Sequence, residues 1–238
     1  MNRTSKFRLL ALFLAIVFAF WLAGCSKEES PKPTESTSPS VDVEINQNTD
    51  PMDLGRGLRI ASVGKYAGIY LEDGSNDPVS DLMMVVLQNQ SSRDLQIARF
   101  TLSFGEKTAE FEVTNLPAGE DVVALEKNRM GYTEDKCNQA ILKNVVFFPE
   151  TMSLCEDQVE ITGQKGNLSV KNITDTPLGE IYVYYKCTAP NTLYGGITYR
   201  AKIDAGLEAG AIASVYSTHY DPSNTRIVNV EITPVATD

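Results

Sequence analysis

Beyond residue 53, apolar and polar positions alternate over short runs, and each run is closed by Gly, Pro, Asn or Asp. A period of two belongs to half-buried strands, because successive side chains point to opposite faces. Such runs fall at 58–63, 67–71, 81–88, 95–104, 109–113, 121–125, 141–148, 159–162, 168–171, 180–187, 196–203, 211–216 and 227–232. They are rich in Val, Ile, Tyr, Phe and Thr, which fit a pleated, half-buried surface. No long stretch carries the 3.6-residue period of an amphipathic helix. Many short strands at this spacing predict an all-β chain of packed antiparallel sheets.

The amino-terminal part follows other patterns. Residues 26–52 are dominated by Ser, Thr, Pro, Glu and Lys, with Pro31, Pro33, Pro39 and Pro51, and no large apolar side chain precedes Val41. That composition cannot bury a core, so a disordered tether is expected. At about 3 Å per residue for proline-rich chain it would reach on the order of 80 Å. Ahead of it, Leu9 to Leu22 is unbroken apolar sequence behind Arg3, Lys6 and Arg8. This run is shorter than the roughly 18 residues a membrane span needs, which marks it as a signal. Leu22, Ala23, Gly24 and Cys25 close it, small residues leaving the backbone open to a peptidase.

The basic, apolar and Leu-Ala-Gly-Cys sequence resembles bacterial lipoprotein precursors. The resemblance implies that 1–24 is a signal peptide, that Cys25 is the lipidation site, and that 25–52 is a lipid-anchored flexible linker. The protein would then sit on the extracytoplasmic face of a cell membrane. Two acyl chains hold a protein there where one barely does. Ser26 suits outer-membrane sorting in a two-membrane cell, and the Ser/Pro-rich spacer suits a wall-bearing, one-membrane cell equally well.

An internal repeat organises the rest. Leu87, Gln88, Asn89, Gln90, Ser91 through Leu95 matches Val170, Lys171, Asn172, Ile173, Thr174 through Leu178: apolar, polar, Asn, any residue, hydroxyl, then Leu. Downstream, Leu116, Pro117, Ala118, Gly119 matches Leu207, Glu208, Ala209, Gly210 in the same order. Two motifs in one order indicate duplication. The Asn and hydroxyl side chains are suited to close a turn on backbone groups, and the glycine to turn the chain toward the next strand. These motifs, with the strand Ile181, Tyr182, Val183, Tyr184, Tyr185, resemble the small immunoglobulin-like domains of bacterial surface lipoproteins, including the FxLYD type, over 82–216. The expected fold is two immunoglobulin-like antiparallel β-sandwiches, at 53–157 and 158–238, after the tether.

Charge narrows the partners. The chain has 21 basic and 31 acidic residues, a formal net charge of -10, and the signal segment removes only basic ones. An acidic exterior argues against nucleic acid and against direct adhesion to anionic lipid, so the membrane is met through the lipid on Cys25. The remaining partner is expected to be an envelope protein or glycan. Tyr182 and Tyr184 share one strand face, opposite Ile181, Val183 and Tyr185, and form a candidate binding stripe.

Candidate chemistry is sparse. His219 is the only histidine, and no nucleophile elbow accompanies it. Asp73, Ser75 and Asp77 alternate oxygens in a short loop, the best candidate for a metal ion such as calcium, although an ordinary polar turn explains them too. No cofactor is expected. Cys137 and Cys155 flank one strand and are candidates for a bridge, while Cys187 reads as a buried thiol. The favoured function is non-enzymatic binding or scaffolding, against a transporter's solute-binding component or an envelope enzyme.

Overall fold

The computed structural model describes residues 42–45, as backbone, and 50–189 and 192–235. The signal segment, Cys25 and residues 26–41 and 46–49 of the expected tether lie outside the described residues. Within them the chain is all β: sheets packed face to face, with no helix.

The strands are β1 (Asp42–Ile45), β2 (Met52–Gly55), β3 (Leu58–Ile69), β4 (Pro78–Asn89), β5 (Leu95–Phe104), β6 (Lys107–Leu116) and β7 (Asp121–Leu125). They continue with β8 (Gln139–Phe147), β9 (Val159–Gln164), β10 (Asn167–Asn172), β11 (Ile181–Ala189), β12 (Thr192–Ile203), β13 (Ile212–Tyr216) and β14 (Thr225–Ile232). Two differences from the alternation pattern stand out. The runs 58–63 and 67–71 merge into β3, because Gly64 and Lys65 stay in register opposite Met84 and Met83, and the register shifts, at Ile60/Ser62 and Tyr66/Gly68, do not end the ladder. The end of the expected tether also pairs: β1 adds antiparallel to β3, with Val43 opposite Tyr66.

Strand order reveals the duplication. In the amino-terminal set β4 lies between β3 and β7, and β5 lies between β6 and β8. In the carboxyl-terminal set β10 lies between β9 and β13, and β11 between β12 and β14. Each set therefore places its first, second and fifth strands in one sheet and its fourth, third and sixth in the other, a strand exchange of the immunoglobulin kind. Alternation fills the space between sheets. Val63, Val85, Leu87, Phe100, Phe111 and Val122 are among the buried side chains of the first set, and Leu168, Val170, Ile181, Val183, Tyr185 and Val230 among those of the second. Burial of each such side chain is worth about 1.5–3 kcal/mol.

The repeated motifs meet in space and make the same bonds twice. Asn89 and Asn172 are fully buried at the ends of β4 and β10. Asn89 Nδ2 donates to Arg93 O at 2.9 Å and Leu116 O at 3.1 Å; Asn172 Nδ2 donates to Thr176 O at 2.8 Å and Leu207 O at 2.9 Å. Each Oδ1 accepts from a hydroxyl two residues on, Ser91 at 2.7 Å and Thr174 at 2.8 Å. The glycine N–H of each Leu-x-Ala-Gly turn then donates back to its Asn carbonyl. Gly119 and Gly210 have φ of 77° and 71°, which explains the residue type.

One large sheet joins the two sets, which belong to one compact unit. Its order is β1-β3-β4-β7-β12-β11-β14, with β2 also on β3. The seam is parallel: Val122 and Val123 of β7 lie opposite Leu193 and Tyr194 of β12. On the outer side of the seam Tyr66, Tyr70, Leu71, Met84, Val123, Leu125 and Tyr194 form a further apolar cluster.

Candidate functional site

Two places gather the side chains singled out in the sequence: the outer face of β11 and β12, and the loop between β3 and β4.

On β11 the expected alternation holds, with Ile181, Val183 and Tyr185 buried in the second core and Tyr182 and Tyr184 on the opposite face. The ladder sets Tyr182 between Lys202 and Glu231, and Tyr184 between Arg200 and Asn229. Arg200 Cζ lies 5.1 Å from the centroid of the Tyr182 ring and Lys202 Nζ 5.9 Å, within cation–π range. The hydroxyls are directed: Tyr182 donates to Glu180 Oε2 at 2.6 Å and Tyr184 to Glu231 Oε2 at 2.9 Å. Lys202 Nζ closes the cluster on Glu180 Oε1 at 2.5 Å. Lys202 and the Tyr182 hydroxyl lower the Glu180 carboxyl pKa, and the bond to Glu180 raises that of Tyr182. The tyrosines are half-buried and Arg200 and Lys202 exposed, so aromatic rings are presented between fixed cations on a solvent-facing sheet. Such a face can stack on a sugar or a partner side chain and donate hydrogen bonds from Arg200. Arg200 and Lys202 were absent from the sequence reading; their spacing of two, in a strand able to pair with the tyrosines, was the available signal.

The β3–β4 loop spans the seam. Asp73 Oδ2, Ser75 Oγ and Asp77 Oδ2 do converge, and the cation between them is the Arg129 guanidinium, whose Nη2 donates to them at 2.7, 3.1 and 3.1 Å. Arg129 also covers the Tyr70 ring at 4.5 Å. Hydrogen bonds from Ser75, with help from Arg129, hold the Asp73 carboxyl down at about 2. Asn76 Nδ2 lies 3.1 Å from His219 Nδ1, and the His219 ring stacks on Tyr199 at 4.2 Å. Burial lowers the His219 pKa. Its neighbours are thus an amide and a phenol ring, a loop-holding arrangement.

Beneath the loop the half-buried Glu72 and the buried Lys186 bring opposite charges to one backbone segment. Glu72 Oε1 accepts from the N–H groups of Leu125 at 2.9 Å and Gly196 at 2.8 Å, and Oε2 from Ile197 at 3.1 Å. Lys186 is fully buried and its Nζ donates to the carbonyls of Gly195, Gly196 and Ile197 at 3.2, 2.7 and 2.8 Å. Burial pushes the lysine pKa down and the glutamate pKa up, each opposed by the other's charge. Three carbonyl acceptors match the three N–H groups of an ammonium. The segment 195–197 is therefore gripped from both sides by side chains of opposite charge.

Among the described residues, Cys137, Cys155 and Cys187 are free thiols. Cys137 packs on the first core and Cys155 on the second, each donating to a local carbonyl, Gln139 O and Val230 O. The candidate Cys137–Cys155 bridge is thus not formed, since the segment after β8 carries Cys155 across to the other set. Cys187 lies against the seam cluster, its thiol pushed up to about 11 by burial.

No family model matches the chain, and no curated protein does. Among solved structures, red sea bream transglutaminase is similar at 12% identity and a TM-score of 0.16, over 83% of this chain and 29% of that one. At that score the likeness carries nothing about activity.

Proposed function

We propose that the chain is a membrane-anchored envelope lipoprotein, held by lipid on Cys25, with a non-enzymatic binding or scaffolding role. Its partner is an envelope protein or glycan that meets the Tyr182–Tyr184 face. The observation that carries this reading is the row of half-buried tyrosines set between the exposed cations Arg200 and Lys202 on the solvent side of the large sheet. Aromatic and arginine side chains supply most of the binding energy in typical interfaces. The fully buried Lys186 and the half-buried Glu72 are engaged with backbone and serve the seam.

The test is cross-linked capture from native membranes with the full chain, compared with Tyr182→Ala/Tyr184→Ala. The expected result is a defined partner that is lost with the double substitution while the far-ultraviolet circular dichroism is unchanged. Undiminished capture by the double variant would overturn the assignment of this face. Labelling with palmitate tests the anchor separately: incorporation into the parent chain and none into Cys25→Ser is expected.

A further inference from the structure

Away from the tyrosine face, the edge of β13 is open among the described strands. In the amino-terminal set the counterpart strand β7 has both edges paired, to β4 and to β12. Aligning the two glycine turns makes Asp121 the counterpart of Ile212, Val123 that of Ser214 and Leu125 that of Tyr216. Val123 and Leu125 are buried under the seam cluster. Ile212 and Tyr216, by contrast, are 66% and 76% exposed, the two most exposed large apolar side chains among the described residues. Among the described strands, β13 pairs with β10 alone.

β13 reads Ile-Ala-Ser-Val-Tyr, with no charge and no proline. Edge strands are ordinarily guarded by one or the other, because their free N–H and C=O groups recruit further strands. The hydrogen-bonding phase of this edge is fixed by its neighbours. Asn172 N–H donates to Ala211 O, and Ser217 N–H to Gly166 O, so odd-numbered residues turn their backbone groups toward β10. In an antiparallel ladder the even-numbered residues, Ile212, Ser214 and Tyr216, then turn theirs to the open edge. Ala213 and Val215 pack on the second core, so the side chains of those same even residues share the outer face.

This pattern is self-complementary. A two-fold axis at Ser214 places Ser214 opposite its own copy and Ile212 opposite Tyr216 of a second copy, twice. All of these are hydrogen-bonded pairs in the correct phase, and β-branched against aromatic is a favoured cross-strand pair. The small Ser214 at the axis leaves the two backbones free to approach. We propose that β13 is a homodimerisation edge, at which two copies of this chain pair antiparallel to make one continuous sheet, β9-β10-β13 followed by its two-fold mate. An isologous contact of this kind closes on itself and gives a dimer, not a fibre.

The test uses the full chain extracted from its membrane in detergent. A hydrogen-bonded antiparallel pair sets Cα atoms about 5.5 Å apart, within disulfide range. Mild oxidation is expected to convert Ser214→Cys, but neither the parent nor Ala213→Cys, into a covalent dimer. Ile212→Lys should weaken dimerisation at least about tenfold, read by analytical ultracentrifugation. Adding Tyr216→Glu to it should restore the dimer, because the new cation and carboxylate face each other across the axis. A parent chain that is monomeric at about 100 µM overturns the proposal. So does failure of the charge pair to restore the dimer, or occupation of the edge by a strand of a different polypeptide.

Discussion

Replacing Asn172 by Ala tests whether the repeated clamp holds each set together. The substitution removes donations to Thr176 O and Leu207 O and acceptance from the Thr174 N–H and hydroxyl, all at 2.8–2.9 Å. A net contribution of about 1 kcal/mol per bond, reduced where Thr174 and Thr176 regain water, gives a loss of roughly 2–4 kcal/mol. For a folded unit of this size each kcal/mol moves Tm by about 2–4 °C, so the melting temperature should fall by about 5–15 °C. Asn89→Ala should cost the same or slightly more, since Asn89 also reaches Pro117 O at 3.2 Å. Asp at either position should be worse than Ala, because a carboxylate oxygen would replace the amide that faces the carbonyls. Thermal unfolding followed by circular dichroism, with tyrosine signals for tertiary packing, measures all of these. A melt within about 2 °C of the parent at either position would refute the equivalence of the two clamps.

Lys186→Met leaves Glu72 without its counter-charge and should cost about 3 kcal/mol, whereas Lys186→Met with Glu72→Gln should recover much of that loss in urea titrations. The pH dependence separates the lysine from its surroundings. Its folded pKa is pushed from 10.5 down to about 7, so the folded state binds fewer protons in that window and parent stability should rise with pH across it. Lys186→Met should lack that rise when the two are compared between pH 7 and 9, since thiols that ionise on unfolding contribute to both chains. Equal slopes would show that the lysine is not desolvated. Gly196→Ala would drive a methyl group into the Glu112 carbonyl of β6. A loss of about 1–3 kcal/mol is expected, whereas Gly105→Ala, with nothing within 4 Å, should lose only about 1 kcal/mol from placing a non-glycine residue at φ 61°.

The alternation of apolar residues was enough to place the strands from β3 to β14, because a sheet with one buried face writes its period directly into the sequence. Ile181, Val183 and Tyr185 went inward and Tyr182 and Tyr184 outward for that reason. The paired Asn and Leu-x-Ala-Gly motifs were legible as turns, since their side chains bond backbone close in sequence. Their contact with each other was not, because Asn89 and Leu116, or Asn172 and Leu207, meet only after a whole hairpin intervenes. β1 was hidden by the polar composition around it. Asp73, Ser75 and Asp77 do bring their oxygens together, but the identity of the cation depended on Arg129, which the fold delivers from beyond β7. Glu72 and Lys186 carried no local signal: each looks like a surface charge, and only the crossing of two distant backbones at Gly195–Gly196 brings them together. The β7–β12 seam was equally silent, since a parallel contact of two residue pairs leaves no periodicity of its own.

The parallel seam also sets an order of events. Strand β7 is complete once Leu125 has emerged, yet its second edge stays open until β12, beginning at Thr192, is in place. During that interval the edge at Val122 and Val123, later covered by Leu193 and Tyr194, faces water or any other strand that passes. A chain made from its amino terminus therefore carries an adhesive half-product until about its last fifth arrives, and shortening that wait, by slowing nothing upstream of β12, governs how much of it escapes aggregation.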